Sequence, residues 1–141
     1  MKALAMSLPY LITLLLSCFL HCHCDNSLIT VKLTFQLVEA INGHAAVDEI
    51  IGFYDNDVEF LAKNTPPCRG HDALRIYYGA TQKAGLRFTE RRPFELHSMS
   101  PFLTIERGTY VFKGRGRSME GNYFVLWIKR DDWVILEECR L

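Results

Sequence analysis

The segment Tyr123-Phe124-Val125-Leu126-Trp127-Ile128 is apolar at every position, and it limits the possible folds more than any other part of the chain. In an extended strand successive side chains point to opposite faces, so Tyr123, Val125 and Trp127 share one face and Phe124, Leu126 and Ile128 the other. A strand that is apolar on both faces has to be covered twice. Helices or a pocket can cover one side, and a second copy of the chain can cover the other.

The surrounding sequence supplies these covers. Strand-like runs are expected over 87–96, 103–112, 122–129 and 133–139. They are joined through Ser98-Met99-Ser100-Pro101, a loop from Gly114 to Gly121, and a tight Arg130-Asp131-Asp132 turn. Upstream, Ile29, Leu33, Leu37, Ala40 and Ile41 recur at helical spacing and Asn42-Gly43 is a stop signal. A shorter helix is expected from Ala45 to about Phe53, with Val47, Ile50 and Ile51 inward. Val58, Phe60 and Ala62 then alternate along a strand that Asn64-Thr65-Pro66-Pro67 ends. A third helix opens at Gly70 or His71 and stops by Gly85, packing through Ala73, Leu74, Tyr77, Tyr78 and Thr81. Gly79 in its middle either costs about 1 kcal/mol relative to Ala or permits close packing against the sheet.

Composition narrows the class of partner. At 141 residues the chain is one domain, and its 16 basic and 16 acidic residues give no charge bias toward nucleic acid or an anionic membrane. Residues 1–24 have the pattern of a secretory signal: Lys2, an apolar run from Leu8 to Leu20, and small Cys22 and Cys24 ahead of the cleavage point. The expected product is a secreted domain over 25–141, or a membrane-anchored one if the signal is retained. His21-Cys22-His23-Cys24 is too short to close a tetrahedral site alone, so no metal is expected. After cleavage Cys68 and Cys139 remain, and the sequence is compatible with either a bridge between them or two separate thiols.

Five segments carry a family resemblance. They are Phe53-Tyr54-Asp55-Asn56-Asp57-Val58-Glu59-Phe60, then Arg69-Gly70-His71-Asp72-Ala73-Leu74-Arg75-Ile76-Tyr77-Tyr78, then Glu106-Arg107-Gly108-Thr109-Tyr110. Gly121 to Trp127 and Trp133 to Glu138 complete the set. In this order the chain resembles the nuclear-transport-factor-2-like superfamily, and is most similar to its SnoaL-like and ketosteroid-isomerase-like branch. The resemblance implies an α+β fold, a cone-shaped curved antiparallel sheet wrapped over N-terminal helices. It also implies an apolar cavity and homodimer formation through the outer sheet face.

Function does not follow from that fold, which carries many chemistries. Ketosteroid isomerisation needs a carboxylate base, a tyrosine and a protonated acid as oxyanion donors. The resemblance puts Ala62 at the base position, Phe35 or Gln36 at the tyrosine and Leu126 near the acid, so that mechanism is not expected. The catalytic residues are unknown, Glu138 and His97 being the candidates for acid–base work. Glu138 matches an acidic residue near the end of the last strand in SnoaL-like proteins, and a solvated strand-end carboxylate is the alternative. Glu106 and Tyr110 share one strand face, and Arg107 points the other way. Asp55-Asn56-Asp57 is expected as a solvated turn, and His44 and His71 as exposed helix termini. Neither a Ser-His-Asp order nor a phosphate-cradling loop is present, and no cofactor is expected. The expected function is a secreted domain binding a small apolar ligand lined by Tyr54, Phe60, Tyr78, Tyr110, Tyr123, Trp127 and Glu138. Two alternatives stand beside it. One is an isomerase, cyclase or dehydratase acting on a polyketide-, steroid- or terpene-like substrate; the other is a homodimerisation module with a filled cavity.

Overall fold

The computed structural model describes residues 26–141, so the expected signal and its His-Cys alternation lie outside the described residues. Helix α1 spans 26–42 and α2 spans Val47–Ile51. They are followed by β1 (Tyr54–Ala62), β2 (Cys68–Arg69), α3 (Gly70–Lys83), β3 (Arg87–Ser100), β4 (Leu103–Gly114), β5 (Arg117–Lys129) and β6 (Trp133–Arg140). The strands form one curved, unclosed sheet in the order β2-β1-β6-β5-β4-β3, with the helices against its inner face. This is the α+β cone implied by the resemblance, with one difference. The sheet is not antiparallel throughout, because β1 and β6 run parallel.

The alternation in β5 is as the sequence predicts. Tyr123, Val125 and Trp127 are buried, and Phe124, Leu126 and Ile128 are half-buried on the other face. The β4–β5 connection is tighter than expected: Gly114 pairs with Arg117, and Arg115 and Gly116 both have positive φ, at 46° and 77°. A two-residue turn with both central residues left-handed matches the twist of its strands, so residues 117–121 join β5 rather than a loop. Helix α3 ends in a Schellman motif. Gly85 at φ 64° donates its N–H to Gln82, and the Leu86 N–H returns to Thr81.

Helix α1 is rotated from its expected orientation. The residues turned fully inward are Asn26, Thr30, Thr34, Leu37 and Ile41, whereas Ile29 is 42% exposed and Leu33 only half-buried. Thr34 faces in because it hydrogen-bonds the buried Glu106 on β4. Asn42 at the other end donates to the Phe88 carbonyl and accepts from its N–H, which fixes α1 along β3.

The glycines give two predictions of opposite sign. A Cβ on Gly79 would meet nothing within 4 Å, so close packing is not the reason for glycine there. Gly79→Ala should stabilise the protein by about 0.8–1 kcal/mol in urea unfolding, through helix propensity. A Cβ on Gly108 would collide with the Arg92 carbonyl and the Tyr123 ring. Gly108→Ala should therefore destabilise by about 1–3 kcal/mol in the same measurement.

Candidate functional site

Two irregularities in the sheet decide what the cone contains. On β3, Phe88 pairs with Phe112 and Glu90 with Val111, leaving Thr89 as an extra residue. On β6, Ile135 pairs with Trp127 and Glu137 with Leu126, leaving Leu136 extra. Each bulge inverts the alternation beyond it. Strict alternation from Phe88 and Ile135 would turn Glu90, Glu137 and Cys139 inward. The bulges turn Arg91, Glu138 and Arg140 inward instead, and all three are buried.

These three side chains form a charged cluster inside the cone. Glu138 Oε1 accepts from Arg91 Nη1 at 2.9 Å and from Arg140 Nε at 2.7 Å, and Oε2 accepts from the Tyr54 hydroxyl at 2.7 Å. Tyr54 and Tyr78 share a hydrogen bond at 2.5 Å, and Arg140 Nη2 donates to the Tyr78 hydroxyl at 3.0 Å. The guanidinium groups also lie against rings, Arg91 4.2 Å from the Tyr123 centroid and Arg140 4.8 Å from that of Phe88. Burial opposes ionisation of Glu138, but Arg140 and Arg91 outweigh it and hold the carboxyl at about 2. Burial and the neighbouring Glu138 together raise Tyr54 well above the usual phenol range, and burial pushes Tyr78 up to about 12. Both tyrosines are therefore neutral donors at physiological pH.

A second polar cluster lies beside the first. Glu106 and Glu138 both pair across the sheet with Val125, one from β4 and one from β6. Glu106 accepts from Thr34 at 2.8 and 2.9 Å, from Tyr123 at 2.7 Å and from Trp127 Nε1 at 3.1 Å, all neutral donors. Tyr123 and Trp127 flank Val125 on β5, the diagonal positions from which long side chains reach a neighbouring strand. The two clusters fill the deep part of the cone.

Open space lies at the mouth instead. A cavity of about 540 Å³ is walled by Ala62, Tyr77, Leu86, Tyr110, Phe112 and Met119, with Lys63, Arg117 and Arg140 as its cations. Among the residues expected to line a pocket, Tyr110 is in this wall. Tyr54, Phe60, Tyr78, Tyr123, Trp127 and Glu138 are buried and are not in it. These aromatic side chains serve the buried charged clusters as ring partners or as hydroxyl and indole N–H donors.

Other expected site residues are placed differently too. His97 is exposed and pairs with Ile105, while the neighbouring Leu96 pairs with Glu106, so His97 does not converge with Glu138. Cys68 pairs with Phe60 on β1 and Cys139 with Leu61, which puts the thiols on opposite faces of the sheet with β1 between them. Two strand spacings separate them by about 9–10 Å, beyond the roughly 7 Å Cα separation a disulfide tolerates. Both thiols are free. Asp55-Asn56-Asp57 belongs to β1 and not to a turn, and Asp55 accepts from the Asp57 N–H and Arg130. His71 is half-buried against the Tyr54 carbonyl, to which its ring is hydrogen-bonded at 2.9 Å. Ala62 is in the cavity wall, Phe35 and Gln36 are exposed, and Leu126 faces outward. Arg91, Arg140, Thr34, Lys63 and Arg117 were not singled out by the sequence. Arg140 had a signal, since it lies two residues from Glu138 on the same strand face.

No protein-family profile matches the chain, and no curated protein does. Solved structures do match it. A putative scytalone dehydratase from Novosphingobium aromaticivorans superposes with a TM-score of 0.70 at 15% identity, over 82% of this chain and 85% of that one. A nuclear-transport-factor-2-like protein of unknown function from Shewanella oneidensis gives 0.64 at 21% identity, over 78% and 93%. A ketosteroid isomerase-like protein from Erwinia carotovora gives 0.62 at 18% identity, over 75% and 87%. At these identities the likeness is one of fold.

Removing the central carboxylate tests the charged cluster. Glu138→Gln leaves two buried guanidinium groups without their counter-charge, and should cost about 3–5 kcal/mol in urea unfolding at neutral pH. Because the folded carboxyl is held below its ordinary 4.5, its contribution is complete above that value and is lost as pH falls toward about 2. The unmodified protein should lose stability across that window. The variant should lack that component, and an unchanged acid limb would rule out Glu138 as its source.

Proposed function

We propose that this chain, which has the nuclear-transport-factor-2-like fold, is a secreted protein that binds a small, largely apolar ligand in the cavity at the mouth of its cone. The observation that carries the proposal is the cavity itself. Its volume of about 540 Å³ falls within the roughly 300–1,000 Å³ typical of small-molecule sites. Ala62, Tyr77, Leu86, Tyr110, Phe112 and Met119 give it an apolar and aromatic part, and Lys63, Asn64, Thr65, Thr81, Arg117, Ser118 and Arg140 a polar one. The buried clusters support binding over acid–base catalysis. Glu138, held at about 2 and shared by two cations, is a poor proton acceptor at neutral pH, and it is not in the cavity wall.

Native mass spectrometry of protein recovered from culture medium tests both parts. The expected mass is that of a chain beginning at Asp25, with adducts of retained ligand. Ala62→Trp, which places a large ring in the cavity, should remove those adducts while the melting temperature changes little. Ligand retained unchanged by the Trp variant would exclude the mouth cavity, and a chain that stays in the cells would exclude secretion. The half-buried outer row Phe124, Leu126 and Ile128 is proposed to pair with a second copy. Sedimentation should then give a dimer that Leu126→Lys dissociates.

A further inference from the structure

We infer that the ligand is an elongated amphipathic carboxylate, its acid group at Arg140 and its apolar body lying past Tyr77 along the outside of α3. The inference rests on ligand binding at the mouth and adds the chemical class of the ligand. Four observations carry it.

The first is the charge of the wall. The mouth cavity has Lys63, Arg117 and Arg140 in its lining and no Asp or Glu. Such a wall is complementary to an anion. The second is the state of Arg140. It is 2% exposed; Nε donates to Glu138 and Nη2 to Tyr78, while Nη1, itself buried, has no hydrogen-bond partner among the described residues, as is also true of Nε and Nη2 of Arg91. A buried donor left without an acceptor is costly, and a ligand oxygen that reached Nη1 from the cavity would satisfy it.

The third is the share of Glu138 that Arg140 receives. One carboxylate serves two guanidinium groups, and of the two it is Arg140 that is also in the wall of the mouth cavity. Sheet register puts Arg140 on the cavity side of Glu138. Glu106 and Glu138 lie in one row through Val125, whereas Arg140 pairs with Tyr123 and Ala62 in the next row, and Ala62 is in the cavity wall.

The fourth is the space next to the cavity. A groove of about 470 Å³ shares Thr65, Tyr77, Thr81, Leu86 and Arg117 with it, so the two adjoin. Beyond the shared residues the groove is walled by uncharged side chains, including Pro66, Pro67, Ala73, Ile76 and Ala80. Ile76 is 76% exposed on the outside of α3, an apolar side chain with no cover in the free protein. A ligand with an acid group at one end and a hydrocarbon chain at the other would satisfy Arg140 and cover Ile76 together.

Isothermal titration calorimetry of the protein with decanoate, 1-decanol, decyltrimethylammonium and acetate tests the inference. Decanoate should bind about tenfold or more tightly than 1-decanol, as expected for a charge-assisted hydrogen bond in a shielded site. The cation and acetate should show no binding at the same concentrations. Arg140→Lys is the direct variant, but it alters the buried cluster. Lys63→Ala and Arg117→Ala change exposed side chains and should each reduce the preference of decanoate over 1-decanol. Ala80→Arg, which fills the groove, should abolish the advantage of decanoate over hexanoate. Equal binding of decanoate and 1-decanol would overturn the inference and leave mouth binding intact. Silence from both would overturn mouth binding itself. A chain-length effect that survives Ala80→Arg would remove the groove from the site.

Discussion

One carboxylate, Glu138, is shared between two buried guanidinium groups, and much of the interior is arranged around that arrangement. Its partners come from β1, β3 and β6, and through Tyr78 from α3. Ion pairs of this kind do not stabilise a fold relative to a well-packed apolar core, because each charge loses its hydration on burial. Once present, however, they leave little freedom in how the elements meet. A shift of β3 or β6 by one residue would separate Arg91 from Glu138 and leave charges alone in a low-dielectric space. The rings of Phe60, Phe88 and Tyr123 beside the guanidinium groups reduce that cost, since an aromatic face attracts a cation.

The Glu106 cluster completes the filling of the deep cone with neutral donors from α1 and β5. Together the two clusters divide the interior in two. The deep half is buried and hydrogen-bonded; the outer half is open and bordered by the β4–β5 hairpin, α3 and the end of β1. Arg140 belongs to both halves, since it completes the charged cluster and is in the cavity wall. The wall of the mouth cavity therefore includes the group that also holds Glu138.

What the sequence made legible was largely periodic. Strand alternation in β5, the helical stretch of α3 and the order of elements follow from local pattern, and the structure has them. The content of the site was less legible because it depends on register. Thr89 and Leu136 are the bulged residues, and neither has a local feature that marks it. Without them, alternation directs Glu137 and Cys139 inward and leaves Arg140 outside. The same register separates Cys68 from Cys139. Helix α1 shows the limit in another form. Its apolar spacing points to Ile29 and Leu33, but Glu106, distant in sequence, requires donors, and Thr34 turns the helix to supply one. The aromatic residues of the cone were identified as inward, but whether a ring faces a void or a guanidinium group is not written in its spacing.

The parallel pairing of β1 with β6 has a consequence for the order in which the chain can fold during synthesis. Until β6 has left the ribosome, β1 has only the two-residue β2 beside it, and its other edge is unpaired. The same late strand brings Glu138 and Arg140, so Arg91, made about fifty residues earlier, waits without its counter-charge over that interval. β3, β4 and β5 are consecutive neighbours in the sheet, whereas β1 is joined to them only through β6. The nascent chain therefore presents an open strand edge and an uncompensated cation together, and both are removed by one late event.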